Sequence, residues 1–228
     1  MTLTDTLSEP RLRFGVVAAE GVRMDAQPEG FEAYLAGVIA ARATPLPEVL
    51  ETRRQAVRDA LRHGAYKPTG RAKPAAEYLL RAAAEVTFPR VNSVVDVCNA
   101  LSLDHLVPIS LWDLDLAGAD AFTVRRGHPG ETYVFNHTGQ EIALDDLLLG
   151  ARAPDDAPLV TPVKDGLATK TTPATTRVAG LVYAPASAMS EATLAALLAD
   201  FAAYLTACGP GARAAWALVP PGGTATLL

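Results

Sequence analysis

Apolar and polar positions alternate in two different periods along this chain, and the change of period divides it. Over residues 30–43, Phe31, Tyr34, Leu35, Val38 and Ile39 recur at the spacing of one helix face, so an amphipathic helix is predicted there. A second helix is predicted over 47–64, with proline in its first turn and Gly64 at its end, and a third over 75–88, stopped before Pro89. The clearest helix spans 190–209, with Leu194, Leu197, Leu198, Phe201 and Leu205 on one face, Ser190 as N-cap and Gly209 past the end. Strand-like runs occupy 13–21, 121–126, 131–136, 158–166, 177–185 and 213–219. The turn-forming GHPG at 127–130 suggests that 121–126 and 131–136 pair as a hairpin. The segment 65–74, with its proline and glycine punctuation, reads as a basic loop.

Helices gather in the first half and strands in the second, with one helix and strand closing the chain. That order predicts an α+β (mixed α/β) fold with a mixed or antiparallel sheet rather than a doubly wound one. One domain over 1–228 is expected: N-terminal strand and helices over 1–65, a central core over 66–185, and a C-terminal helix and strand over 186–228. Half the residues are hydrophobic and 20% charged, the balance of a compact globular protein.

Composition removes several function classes. No run reaches the roughly 18 to 20 apolar residues of a membrane span, and the first residues show no signal-peptide pattern, so a cytoplasmic location is expected. Cys98 and Cys208 have no metal-like spacing, and His63, His105, His128 and His137 are scattered; neither metal nor cofactor is expected. Phosphate-loop, dinucleotide and nucleophile-elbow motifs are missing. With 25 acidic against 20 basic residues the chain carries −5, which argues against a general nucleic-acid binder and against DNA. Basic residues nevertheless cluster, at Arg53, Arg54, Arg58 and Arg62 and then Lys67, Arg71, Lys73 and Arg81. Such a cluster is either a solvated helix face or a local RNA contact, for which Lys67, Arg71 and Lys73 are the candidates.

The run VNSVVDVCNALSLDHLVPISLWDLDLAG, residues 91–118, is apolar but interrupted by polar groups a plain core element does not need. In a helix over 92–104, Asp96 and Asn99 fall on one face; Pro108 ends it, and Ser110 and Asp113 are expected on a turn folding back toward that face. With FTVRRGHPGETYVF after it, this run resembles the editing (B-three/B-four) domain of the bacterial phenylalanyl-tRNA synthetase beta subunit, less specifically from Lys67 to Pro185.

The resemblance implies a three-layer domain that hydrolyses tyrosine wrongly attached to phenylalanine tRNA, here free-standing. It places the family's Thr-Asn pair on Cys98 and Asn99, its editing histidine on Ser110, and its glycine-rich segment on VKDGLATKTT, with Lys164, Asp165 and Thr171. Asn99, Asp96 and Ser110 are thus the catalytic candidates, and Cys98, Asp113, Lys164 and Asp165 the substrate-binding ones. Without the histidine, Asp96 or Asp165 serves as base only if desolvation raises its pKa. The competing reading of the same residues is structural: Asp96 and Asp113 as caps, Ser110 as a small turn residue, Cys98 as a core thiol. Two functions remain open at this level, a trans-editing deacylase acting on the acceptor end of aminoacylated tRNA, and a non-catalytic module that binds tRNA, an amino acid or a similar small molecule.

Overall fold

The computed structural model describes residues 1–227. Its elements, in order, are strands β1 (Thr2–Asp5) and β2 (Leu12–Glu20); helices α1 (Phe31–Arg42), α2 (Glu48–Leu61), α3 (Ala75–Ala84) and α4 (Ser93–His105); and strand β3 (Ile109–Asp113). After the short helix α5 (Leu114–Ala117) come β4 (Ala121–Arg126), β5 (Thr132–Val134), β6 (Glu141–Ala143), β7 (Leu148–Arg152), β8 (Ala157–Val160) and β9 (Arg177–Pro185). Helix α6 (Glu191–Ala207), β10 (Arg213–Val219) and β11 (Thr224–Thr226) close the chain.

Two sheets carry the fold. The first has the order β11-β1-β4-β7-β8 and is mixed, since β1 runs parallel to β4 and the other pairs are antiparallel. The second, β10-β2-β9-β3, is antiparallel throughout. β5 and β6 form a separate ribbon. The architecture is therefore the α+β one that the order of the patterns predicts.

Period-two alternation assigns the two faces of the second sheet. Gly15 of β2 and Gly180 of β9 lie under Leu198 and Phe201 of α6, so one face is covered by helices. Leu181 reaches toward Gly150 of β7, and Trp112 of β3 packs edge-on against Phe122 of β4 at 5.3 Å between ring centroids, so the other face lies on the first sheet. Helices, sheet and sheet form three layers around an apolar cluster that runs from Leu3 to Leu227. Among the described residues, no helix is long and apolar enough to cross a membrane.

Three expectations are corrected. Residues 121–126 and 131–136 do not pair: β4 is an inner strand between β1 and β7, while β5 pairs with β6. The reason is that Phe122 and Val124 are fully apolar core positions, and the chain must leave the sheet at Gly127, where any Cβ would collide with the Leu144 carbonyl. The run 158–166 is a strand only to Val160; beyond it, the Thr161 hydroxyl accepts from the Val163 and Lys164 N–H groups and bends the chain into a tight turn. Ser110 and Asp113 lie on a buried strand, not on a turn, because the αL residue Leu106 and then Pro108 end α4 and lead directly into β3.

Candidate nucleic-acid interface and pocket

The site grows from the tight turn after β8. Pro162 accepts a hydrogen bond from the Ala75 N–H at the start of α3, 2.8 Å, which brings the 67–74 loop beside Lys164. The turn folds Asp165 back onto β3, the outer strand of its sheet, where its carboxylate accepts from the Leu111 N–H at 3.1 Å and from the Thr161 N–H at 3.3 Å. The Ser110 hydroxyl donates to the Thr161 carbonyl, 3.0 Å, and lies 3.1 Å from the Tyr183 hydroxyl. Asp165 keeps part of its residue surface in solvent, yet its carboxyl group is enclosed. Burial pushes the carboxyl up to about 6, against the pull of Leu111 N–H, the Ser110 hydroxyl, Thr161 N–H and the charge of Lys170.

The neighbours respond to that enclosure. Burial first, and then the Asp165 charge, raise the Cys98 thiol, so it stays protonated and is no nucleophile at neutral pH; its sulfur points at the Ile109 carbonyl, 3.7 Å away. Tyr133 and Tyr183 are raised by the same two causes. Tyr133 donates to the Lys164 carbonyl and fixes the turn from the β5 side.

The remaining candidates separate from this group. Asp96 is buried at the first turns of α4, where it pairs with Arg90 at 2.7 Å and accepts from the Val91 N–H. Asp113 N-caps α5, accepting from the Asp115 and Leu116 N–H groups, and takes the Thr175 hydroxyl on its other oxygen. Asn99 is half-buried, in line along α4 with Val95 and with the N-cap Asn92. Its amide makes no hydrogen bond among the described residues, so it is free to meet a ligand. Asn92 itself donates to Thr171 and closes one side of a cleft of about 650 Å³, which Arg23, Val91, Thr172 and Thr176 also line.

The basic residues sort into two groups. Those on α2 are spent: Arg54 and Arg58 share Glu77 of α3, and Arg53 bonds the His105 and Ala188 carbonyls. Arg81 is paired with Glu85. By contrast Arg71, Lys73, Lys164 and Lys170 have no acid within ion-pair distance among the described residues. Lys67 bonds only the Gly64 carbonyl. The Lys164 ammonium sits 3.9 Å from the centre of the Phe135 ring, and Lys170 donates to the Phe135 carbonyl at 2.7 Å. Burial pushes the Lys164 pKa down, and the nearby charges of Arg71 and Lys170 add to the effect.

Lys170, Phe135, Tyr133, Thr161 and Tyr183 belong to this site and are not among the residues that the motif reading selects. Lys170 lies inside the quoted VKDGLATKTT run and is accessible to such a reading; Tyr183 is a core position on a strand, and only the pairing of β3 with β9 brings it to Ser110. No group of three or more acidic, histidine or cysteine side chains among the described residues can hold a metal ion.

Comparison with known proteins adds a family. Residues 67–192, more than half of the chain, match the family described as B3/4 domain. A phenylalanine–tRNA ligase beta subunit from Moorella thermoacetica is 36% identical over 88 residues, which is 39% of this chain and 11% of that one. A crystal structure of an N-terminal fragment of the phenylalanyl-tRNA synthetase beta subunit from Pyrococcus horikoshii superimposes with a TM-score of 0.48 at 10% identity, covering 96% of this chain and 53% of the fragment. The chain thus spans only a small part of the curated relative and about half of the solved fragment.

Proposed function

Since this chain belongs to the B3/4 domain family, we propose that it is a tRNA-binding module, with the charged acceptor end held across Arg71, Lys164 and Lys170 and its aminoacyl group turned toward Asn99. The observation that carries this reading is the gathering of Arg71, Lys164 and Lys170 beside Phe135 with no ion-pair partner among the described residues, in a protein whose net charge is −5. Mutual repulsion makes such a cluster unfavourable alone and favourable once a polyanion lies on it. Phe135 adds an aromatic surface of the kind on which unpaired bases stack.

The test is tRNA binding across a salt series, for the native chain and for Arg71→Ala, Lys164→Ala and Lys170→Ala singly and together. Each lost phosphate contact is expected to flatten the slope of log K against log salt by about 0.7 to 0.9, so the triple variant loses about 2 to 3. An unchanged slope would reject this surface as the RNA contact.

One observation favours a second step, hydrolysis of the aminoacyl ester. A general base works best with a pKa near the operating pH, and Asp165, pushed up to about 6, is the carboxyl in this group that meets the condition. Ser110, at the position where the resemblance puts a histidine, is fully buried and already engaged. In this reading Asp165 takes the proton of the attacking water, and Asn99 positions the ester. Release of labelled amino acid is measured from a panel of correctly and wrongly charged tRNAs, with Asn99→Ala and Asp165→Asn beside the native chain. Turnover that rises as pH passes about 6 and disappears in Asp165→Asn is the expected result. If no tRNA is deacylated, hydrolysis is rejected and the binding reading stands by itself.

A further inference from the structure

Tyr183 and Ser110 are both fully buried, and the serine is the one hydrogen-bond partner of the tyrosine hydroxyl among the described residues, at 3.1 Å. Sheet register brings them together. Ser110 of β3 stands opposite Leu181 of β9, so Tyr183, two residues on, shares its face and reaches it diagonally. Phe14 of β2, opposite Tyr183, meets the ring edge-on at 6.3 Å between centroids and holds it in place. Burial, and then the Asp165 charge, push the phenol up, so it stays protonated. A buried donor takes the acceptor within its reach, and the Tyr183 O–H therefore donates to Ser110 Oγ.

The serine's own proton then has a choice of acceptor. The Thr161 carbonyl lies 3.0 Å away, and the same hydroxyl is among the donors that pull the Asp165 carboxyl toward its ionised form. Charge decides between them: a neutral carboxyl leaves the proton on Thr161, and an anion attracts it.

We propose that Tyr183 is a positioning residue for the Asp165 carboxylate and acts through Ser110, filling the acceptor side of the serine hydroxyl and fixing it where its proton can follow the charge. A hydroxyl that accepts is also the stronger donor. The anion is then held by the Leu111 N–H on Oδ2, the Thr161 N–H on Oδ1 and the Ser110 hydroxyl. A carboxylate has about four lone-pair sites, which leaves one for a water. The role rests on the reading of Asp165 as the base, and in it the serine at the histidine's position supports that base.

The other ionisable groups that bear on Asp165 do not obscure its titration. Cys98 from α4 and Tyr133 from β5 are raised like Tyr183 and stay neutral, and Lys170 contributes a positive charge. Carbon-13 NMR of the full chain with carboxyl-labelled aspartate, without tRNA, reads the Asp165 midpoint, and Asp165→Asn identifies its signal. Tyr183→Phe, which removes a single oxygen, is expected to raise that midpoint by about half a pH unit, and Ser110→Ala, which removes the donor itself, by about one. Because the tyrosine acts through the serine, adding Tyr183→Phe to Ser110→Ala raises it no further. An unmoved midpoint in Tyr183→Phe overturns the proposal, as does a shift that persists in full on the Ser110→Ala background. Should Ser110→Ala not fold, Tyr183→Phe decides alone. Ester hydrolysis is a separate readout: its pH midpoint should move with that of the carboxyl, and a carboxyl that shifts while no tRNA is deacylated removes the base and upholds the positioning.

Discussion

The stability of the Asp165→Asn variant relative to the native protein is expected to rise by up to about 3 kcal/mol between pH 4 and pH 7. The sign follows from the direction of the shift. In the folded protein the Asp165 carboxyl is raised from its ordinary 3.8 to about 6, because burial disfavours the anion more than its donors favour it. Between those values the native state binds the proton that the unfolded chain has released, so stability is fully present below the lower one and is lost as pH rises through the upper. Asparagine carries no charge to desolvate, although its single oxygen serves only one of the two N–H groups, Leu111 on Oδ2 or Thr161 on Oδ1, a loss that does not vary with pH. Denaturant unfolding of both proteins at matched pH values, read as their difference, cancels the opposite slopes from Glu9 and Glu51, both held down near 2 by arginine hydrogen bonds. A difference that does not change with pH would show that the Asp165 carboxyl titrates normally. The same variant is the one in which ester hydrolysis is expected to stop, so stability gained and activity lost in one protein would mark a group kept charged for chemistry at the expense of the fold.

What a reader of the sequence can extract depends on how local each feature is. The helices are written in their own residues: α1 and α6 bury the apolar positions that the period selects, Phe31, Leu35 and Val38 in one, Leu194 to Leu205 in the other, and the Ser190 side chain accepts from the Thr193 N–H as its cap. Strand partners are not written that way. β4 alternates clearly, but the partners that cover it are β1, more than a hundred residues earlier, and β7, so the nearby GHPG turn is misleading. β1, β6, β7 and β11 have only three to five residues each, too short for a period to register. The candidate site divides along the same line. Cys98 and Ser110 come together because α4 leads directly into β3, whereas Lys164 and Asp165 reach them from the turn after β8, some fifty residues on, a placement that motif order and not local pattern indicates. Asp96 and Asp113 look like Asp165 in sequence and differ from it in environment: Asp96 is held by Arg90 and the Val91 N–H ahead of α4, and Asp113 by the N–H groups at the start of α5. Which arginines remain free depends on where Glu77 of α3 lies against α2, a contact that charge counting does not see.

The face on which α6 rests is expected to be the least forgiving part of the fold, and Gly180→Val to cost roughly 3 kcal/mol, the upper end of an overpacking penalty. A Cβ at Gly180 would stand 2.7 Å from Cε1 and 3.1 Å from Cζ of the Phe201 ring, closer than carbon atoms approach. Phe201 is fully buried between Leu197, Leu198 and the sheet, so the ring has no vacant volume to enter. Backbone entropy pulls the other way, since valine suits a strand better than glycine does, by less than about 1 kcal/mol. Collision therefore decides the sign. Shortening the opposing side chain separates the two effects: Phe201→Leu alone opens a cavity and destabilises, but placed with Gly180→Val it makes room for the new methyl groups. The pair should cost less than the sum of the single changes by about 1 kcal/mol or more, within the range of coupling for residues in contact. Strict additivity in thermal or denaturant unfolding would mean that α6 does not rest on Gly180. The consequence would reach the site, because α6, β9 and β3 are successive supports of Tyr183 and Ser110, and a sheet released from its helix no longer holds Asp165 against the outer strand.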